Sequence, residues 1–172
     1  MKIDLKYAVI NIEDGSMSPN ILEIRVGEGT LAWTEKRTVE YVKNRGLLDT
    51  VRLGDQEPVD VRFDFIWEHL KSVSTDATIS TDPTQDPEVP SVYEALKGTG
   101  AASSWVSAGS NPCEPYAVNI VVVYTPPCSG DKAETITIRE FRYEQLALDA
   151  KAGTVNVTGK ANVTAPTMVR AS

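Results

Sequence analysis

Residues 57–67 read Glu-Pro-Val-Asp-Val-Arg-Phe-Asp-Phe-Ile-Trp. Val59, Val61, Phe63, Phe65 and Trp67 fall on one face, and Asp60, Arg62 and Asp64 fall on the other. A period of two is that of a β-strand with one side on a core and the other toward water or a partner. Outward from it, the same alternation recurs along most of the chain. Lys6–Ile12 reads as a first strand, Glu13–Asn20 as a turn cluster, and Ile21–Val26 as a strand with Leu22, Ile24 and Val26 on one side. Gly27-Glu28-Gly29 then turns the chain toward Leu31 and Trp33, so these two strands are expected to pair as a hairpin.

Downstream, Val118, Ile120, Val122 and Tyr124 alternate with Asn119, Val121 and Val123. The second set is partly apolar, as in a strand buried on both faces. Thr135–Glu140 alternates again. Leu146–Lys151 and Thr154–Ala161, joined at Ala152-Gly153, read as a hairpin with Leu146, Leu148, Val155 and Val157 on its apolar face. A short helix is expected at Trp67–Val73. A second is expected to start with Asp86 as its N-cap, Pro87 at its first position and Glu88 in its first turn, and to stop at Gly98. Val163–Ser172 reads as a tail. The fold class is therefore mainly β.

One segment breaks the pattern. Thr34–Pro58 is dense in charge, and its apolar residues Val39, Tyr41, Val42, Leu47, Leu48, Val51 and Leu53 keep no sustained period. It reads as a long charged excursion between strands. A loop of that length in a compact domain usually carries function or is disordered, and its scattered apolar residues argue against plain disorder.

A chain of 172 residues suits one domain with a core of its own. Its net charge of −7 argues against a surface that grips phosphate, which needs clustered lysine and arginine. The amino terminus lacks a continuous apolar stretch of the kind a secretory signal needs, and no apolar run is long enough to span a membrane. Cys113 and Cys128 are separated by a strand and are expected to be free thiols.

No catalytic constellation emerges. His69 is the only histidine and reads as an ordinary surface or packed residue. A Ser-His-Asp triad would have to use it, and no nucleophile elbow occurs. Asp60 and Asp64, with Arg62 between them, read as a charge ladder, not as a hydrolytic pair. The glycine pairs at Gly27/Gly29 and Gly98/Gly100 continue into no nucleotide-binding motif. Trp33, Trp67 and Trp105 read as core or interface anchors. Neither an enzyme nor a cofactor or metal site is expected.

Three stretches, taken in order, carry a resemblance. They are Val26-Gly-Glu-Gly-Thr-Leu-Ala-Trp-Thr-Glu-Lys-Arg37, Arg45-Gly-Leu-Leu-Asp-Thr-Val-Arg-Leu-Gly-Asp-Gln-Glu-Pro-Val-Asp-Val-Arg-Phe-Asp-Phe65 and Phe141-Arg-Tyr-Glu-Gln-Leu-Ala-Leu-Asp-Ala-Lys-Ala-Gly-Thr-Val-Asn-Val-Thr-Gly-Lys160. Together they resemble the tail tube (major tail) proteins of long-tailed, non-contractile bacteriophages, from about Tyr7 to Val163. The resemblance implies a β-sandwich or barrel with one flanking α-helix, as one tail-tube-like domain over 1–172, with an inter-subunit excursion at about 35–58 and a short tail at about 164–172. It implies six copies closing into a ring, rings stacking into a tube, and a continuous inner barrel of roughly 24 strands, wide enough to leave a channel. Arg37, Arg45, Asp49, Arg52, Asp55 and Glu57 would then touch neighbouring subunits, and Asp149, Lys151 and Asn156 would face the lumen. The partners implied are further copies of the chain and the tape-measure, tail-tip and terminator proteins, with DNA only in transit and no membrane. The location implied is the virion tail, after synthesis in the bacterial cytoplasm. Two other readings fit the strand pattern: a β-sandwich module that binds carbohydrate or serves adhesion, and a tail terminator or connector that forms one ring without stacking.

Overall fold

The structure, a computed structural model, describes residues 7–24, 30–66, 90–127 and 130–171. Trp67, His69, Asp86–Val89 and Cys128, and with them the helix expected at Trp67–Val73, lie outside the described residues. Among the described residues the strands are β1 (Ala8–Glu13), β2 (Ile21–Ile24), β3 (Leu31–Thr34), β4 (Arg37–Asn44), β5 (Leu47–Gln56), β6 (Val59–Ile66), β7 (Val118–Tyr124), β8 (Glu134–Asp149), β9 (Thr154–Ala161) and β10 (Thr167–Arg170), with one α-helix, α1 (Val92–Lys97), and a short 3-10 turn at Gly100–Ala102. The protein is mainly β, and its strand pairings are antiparallel.

Eight strands form one sheet in the order β2-β1-β7-β8-β9-β6-β3, with β10 also on β8. The sheet cannot lie flat. Six inter-strand steps of ~4.8 Å separate β2 from β3, about 29 Å, yet the seven residues from Ile24 to Leu31 reach at most ~25 Å. The sheet therefore folds over so that its two ends approach. β8 is where it folds. Glu134–Ile138 pairs with β7, and Glu134–Thr137 also pairs with β10, whereas Phe141–Asp149 pairs with β9. The result is two layers that share β8: β2-β1-β7-β8-β10 and β8-β9-β6-β3. Their inner faces meet in one core that includes Ile10, Ile12, Ile120 and Ile138 from the first layer and Val61, Phe63 and Val157 from the second.

The alternation of residues 57–67 is realised as expected through Phe65. Val59, Val61, Phe63 and Phe65 are buried, while Asp60, Arg62 and Asp64 lie on the opposite face. Val118, Ile120, Val121 and Val122 are all buried, so β7 is covered on both sides.

Four expectations are corrected. Ile21–Ile24 and Leu31–Thr34 do not pair with each other: β2 pairs with β1, and β3 with β6. Alternation tells which side of a strand is buried, not which strand lies beside it. The β1–β2 turn is decided by a buried aspartate. Asp14 is 1% exposed. One of its carboxylate oxygens accepts from the Ser16 amide and hydroxyl and the Asn20 amide, and the other from the Asn20 side chain and the Val106 amide. Second, α1 is capped by Ser91, not Asp86. Ser91 and Glu94 form a reciprocal capping box at its start, and Gly98, in the left-handed region, ends it as expected. Val92, Ala95 and Leu96 turn inward to the core. Third, Thr135–Glu140 and Leu146–Lys151 are not separate strands but parts of the 16-residue β8. Fourth, the expected tail contains a strand, because Thr167–Arg170 pairs with Glu134–Thr137.

The charged excursion is also ordered. β4 and β5 pair with each other as a separate two-stranded sheet. Arg45 (φ 50°) and Gly46 (φ 85°) are the two residues of its turn, and two successive positive φ values are the mark of a type I′ hairpin. The missing period has a cause. The register slips near both ends of the hairpin, so Asp49 is an extra residue on β5. Val51 and Leu53 are two apart, but the slip puts Leu48, three before Val51, on the same side. Val39, Tyr41, Leu48, Val51 and Leu53 thus share one face.

Candidate assembly surface

The four-stranded layer ends in two open edges. β3 pairs only with β6, and its far side carries no strand among the described residues. The Asp64 amide donates to the Thr30 carbonyl at 3.1 Å, which makes those two a hydrogen-bonded pair. By the antiparallel alternation, Leu31 and Trp33 aim their backbone N–H and C=O groups away from β6. At the other end, β8 pairs with β7 no further than Phe141. Beyond it, the side of β8 opposite β9 carries no strand among the described residues.

Both edges also carry apolar side chains on the inner face. Leu31 and Trp33 are only partly buried where they pack on the core. Leu146 and Leu148 lie opposite the buried Val157 and Val155, so they belong to the same inner face, yet Leu148 is 53% exposed. The core thus runs out to both edges, and among the described residues no strand covers it there. Such edges invite pairing with another chain unless something blocks them.

The outer face of this layer is polar and largely self-neutralised. Lys36 pairs with Asp60 at 2.5 Å, and Lys160 approaches Glu144 at 3.6 Å. Their hydrogen bond holds Asp60 below the usual carboxylate range and Lys36 above the usual lysine range. The Asn156 side chain donates from Nδ2 to Asp64 at 2.5 Å, and Thr30 Oγ1 donates to its other oxygen at 3.3 Å.

Of the residues expected to face a lumen, Asn156 lies on this polar face and Asp149 at its end, opposite Thr154. Asp149 also caps the β8–β9 turn by accepting from the Lys151 and Ala152 amides. Lys151 is in that turn, off the strand face. Of the residues expected to contact neighbours, Arg37, Arg45, Asp49, Arg52 and Asp55 are exposed on the hairpin, with Arg52 opposite Glu40. Glu57 is half-buried at its base, beside an open hollow of about 500 Å³ that Arg37 and Asp55 also line. The structure spreads these six along one projection.

The hairpin's apolar face is a feature the sequence reading missed. Tyr41, Leu48, Val51 and Leu53 are all exposed, with Leu48 at 70%. A two-stranded hairpin standing alone is marginal in water. The corner in β8 was also missed, because the residues that make it were read as the end of one strand.

No group of three or more His, Cys, Asp and Glu side chains among the described residues is placed to hold a metal. Trp33 and Trp105 pack against the core instead of lining a ligand site. Cys113 is a free, exposed thiol. No family model matches this chain, and no curated protein matches it.

Proposed function

We propose that this chain is the building block of a phage tail tube, a structural protein that joins copies of itself into rings and stacks the rings. The observation that carries this reading is the four-stranded layer with two uncovered edges. If β3 of one copy pairs with the free side of β8 in the next, Leu31 and Trp33 meet Leu146 and Leu148, and the core continues across the join. Six copies then close a barrel of roughly 24 strands, and closure removes every open edge in that layer.

The face turned to the channel is then the polar one, with Asp60, Arg62, Asp64, Asn156 and Lys160. Its charges are largely matched within each copy, which suits a passage that DNA slides through without being held. The hairpin β4–β5, as an arm toward the neighbouring ring, would bury the apolar face it leaves open. Tape-measure, tail-tip and terminator proteins are the further partners this reading implies.

Electron microscopy of negatively stained protein across a concentration series tests the proposal. Hollow rings or tubes with sixfold symmetry are expected. Single small particles at every concentration would count against it and favour a monomeric binding module. Rings that never stack would favour a terminator or connector. Leu148→Lys adds a control: it should abolish rings while leaving the circular dichroism spectrum unchanged.

A further inference from the structure

Where β8 leaves β7 it carries a bulge at a residue with unusual backbone geometry, followed by a second register shift against β9 between Tyr143 and Gln145. Glu140 has φ 54°, in the left-handed region that residues other than glycine seldom adopt. Between Val118↔Phe141 and Ile120↔Ile138, β8 uses one residue more than β7, so Glu140 lies at a bulge. Glycine is the usual occupant of the left-handed position in such bulges.

The glutamate is held there from three directions. Its amide donates to Asn119 Oδ1 at 3.1 Å, at the start of β7. Its carbonyl accepts from the Asn162 amide at 3.2 Å, and its carboxylate accepts from the Asn162 side chain at 3.1 Å, just past β9. Arg142 lies 3.7 Å from the same carboxylate. Arg142 in turn donates to the Pro115 carbonyl at 2.9 Å and to Glu114 at 2.6 Å, in the loop before β7. The corner is thus tied to β7 and its approach on one layer and to the end of β9 on the other. Strained backbone persists where the surroundings over-determine it, and such places are often functional.

We propose that Glu140 is a positioning residue that fixes the angle between the two layers and thereby the number of copies that close a ring. The second half rests on the assembly reading above. A subunit in a closed ring is a wedge. When the four-stranded layer forms the inner wall, the lean of the other layer against its neighbours sets the wedge angle, about 60° per copy for six copies. A corner free to open by several degrees would admit rings of more than one size.

The test compares the wild-type chain with Glu140→Gly, which removes the carboxylate ties and frees the backbone at that position. Spin labels at Glu23→Cys and Lys160→Cys, one on each layer, in chains whose Cys113 and Cys128 are changed to serine, report the inter-layer distance in the monomer. Native mass spectrometry and microscopy report copy number. In Glu140→Gly the distance distribution is expected to broaden, and rings of one diameter to give way to several, with circular dichroism unchanged. A distribution as narrow as wild type would overturn the corner's role. A broad distribution with rings of wild-type copy number would overturn its control of ring size. If the wild-type chain forms no rings at all, the assembly reading fails, the ring-size claim falls with it, and the distance measurement still decides the corner. Should Glu140→Gly not fold, Asn162→Ala, at an exposed position, removes the carboxylate's side-chain donor and is read in the same way.

Discussion

Phe63 packs on the strand that joins the two layers: its ring lies 5.8 Å from Phe141 in β8 and 6.3 Å from Phe65 in its own strand. Phe63→Ala is expected to destabilise the chain by about 3–5 kcal/mol, as truncation of buried aromatics does, measured by chemical denaturation. Asp14 gives a second test, because its role is electrostatic. Burial pushes its carboxyl up, but hydrogen bonds from Asn20, Ser16 and the Val106 amide outweigh this and hold it below its ordinary range. A carboxyl depressed in the folded state stabilises the fold fully above its unfolded value, near pH ~4, and that contribution is lost as pH falls through the folded value. Glu13 works the other way. Burial and the Asp14 charge raise it, so its effect is lost as pH rises through its folded value. Asp14→Ala should cost about 2–4 kcal/mol by stranding buried amides, and acid melts of the variant should have a flatter pH dependence below pH ~4 than wild type. Asp14 was legible only as part of a turn cluster. Nothing in Glu13-Asp14-Gly15-Ser16 tells that the Val106 amide, 92 residues away, completes its shell.

Among the elements, β6 and the β8–β9 hairpin were legible because their apolar residues recur every second position and face one core. The β4–β5 hairpin was not, although the turn signal Asn44-Arg45-Gly46 was present, because a bulge at Asp49 shifts the parity of one strand and breaks the count. The same cause hid the corner of β8, where an extra residue at Glu140 made one strand read as two. Which edge stays open could not be read at all, since pairing order depends on contacts across the whole chain. Two predictions belong to the hairpin. Reversing the charges at Arg45, Asp49, Arg52 and Asp55 should block polymerisation and leave the fold intact, because all four are exposed. Replacing Leu48, Val51 and Leu53 by threonine should do the same, with Tm nearly unchanged. A large drop in Tm in either case would show that the hairpin packs into the monomer's own core. Light scattering and circular dichroism, on the same samples, separate the two outcomes.

For the whole molecule, the distribution of charge matters more than its sum. Residues 37–56 carry four basic and three acidic side chains, which leaves thirteen basic and twenty-one acidic elsewhere. A near-neutral arm on an acidic body should make association between copies depend on salt in a characteristic way. Moderate salt screens the repulsion between bodies, so polymerisation monitored by light scattering should speed up as ionic strength rises from ~10 to ~150 mM. Slowing over that range would mean that attraction between opposite charges drives assembly.

The strand shared by both layers has a mechanical meaning. Load placed on one layer reaches the other along a covalent backbone, not across a greasy contact that could slip. Sliding the layers past each other would require peeling β8 from β7 or from β9, ladder by ladder. The unit is therefore stiff against internal shear, and any bending of a fibre built from it falls on the seams between units, where whole bodies can tilt without any one of them deforming.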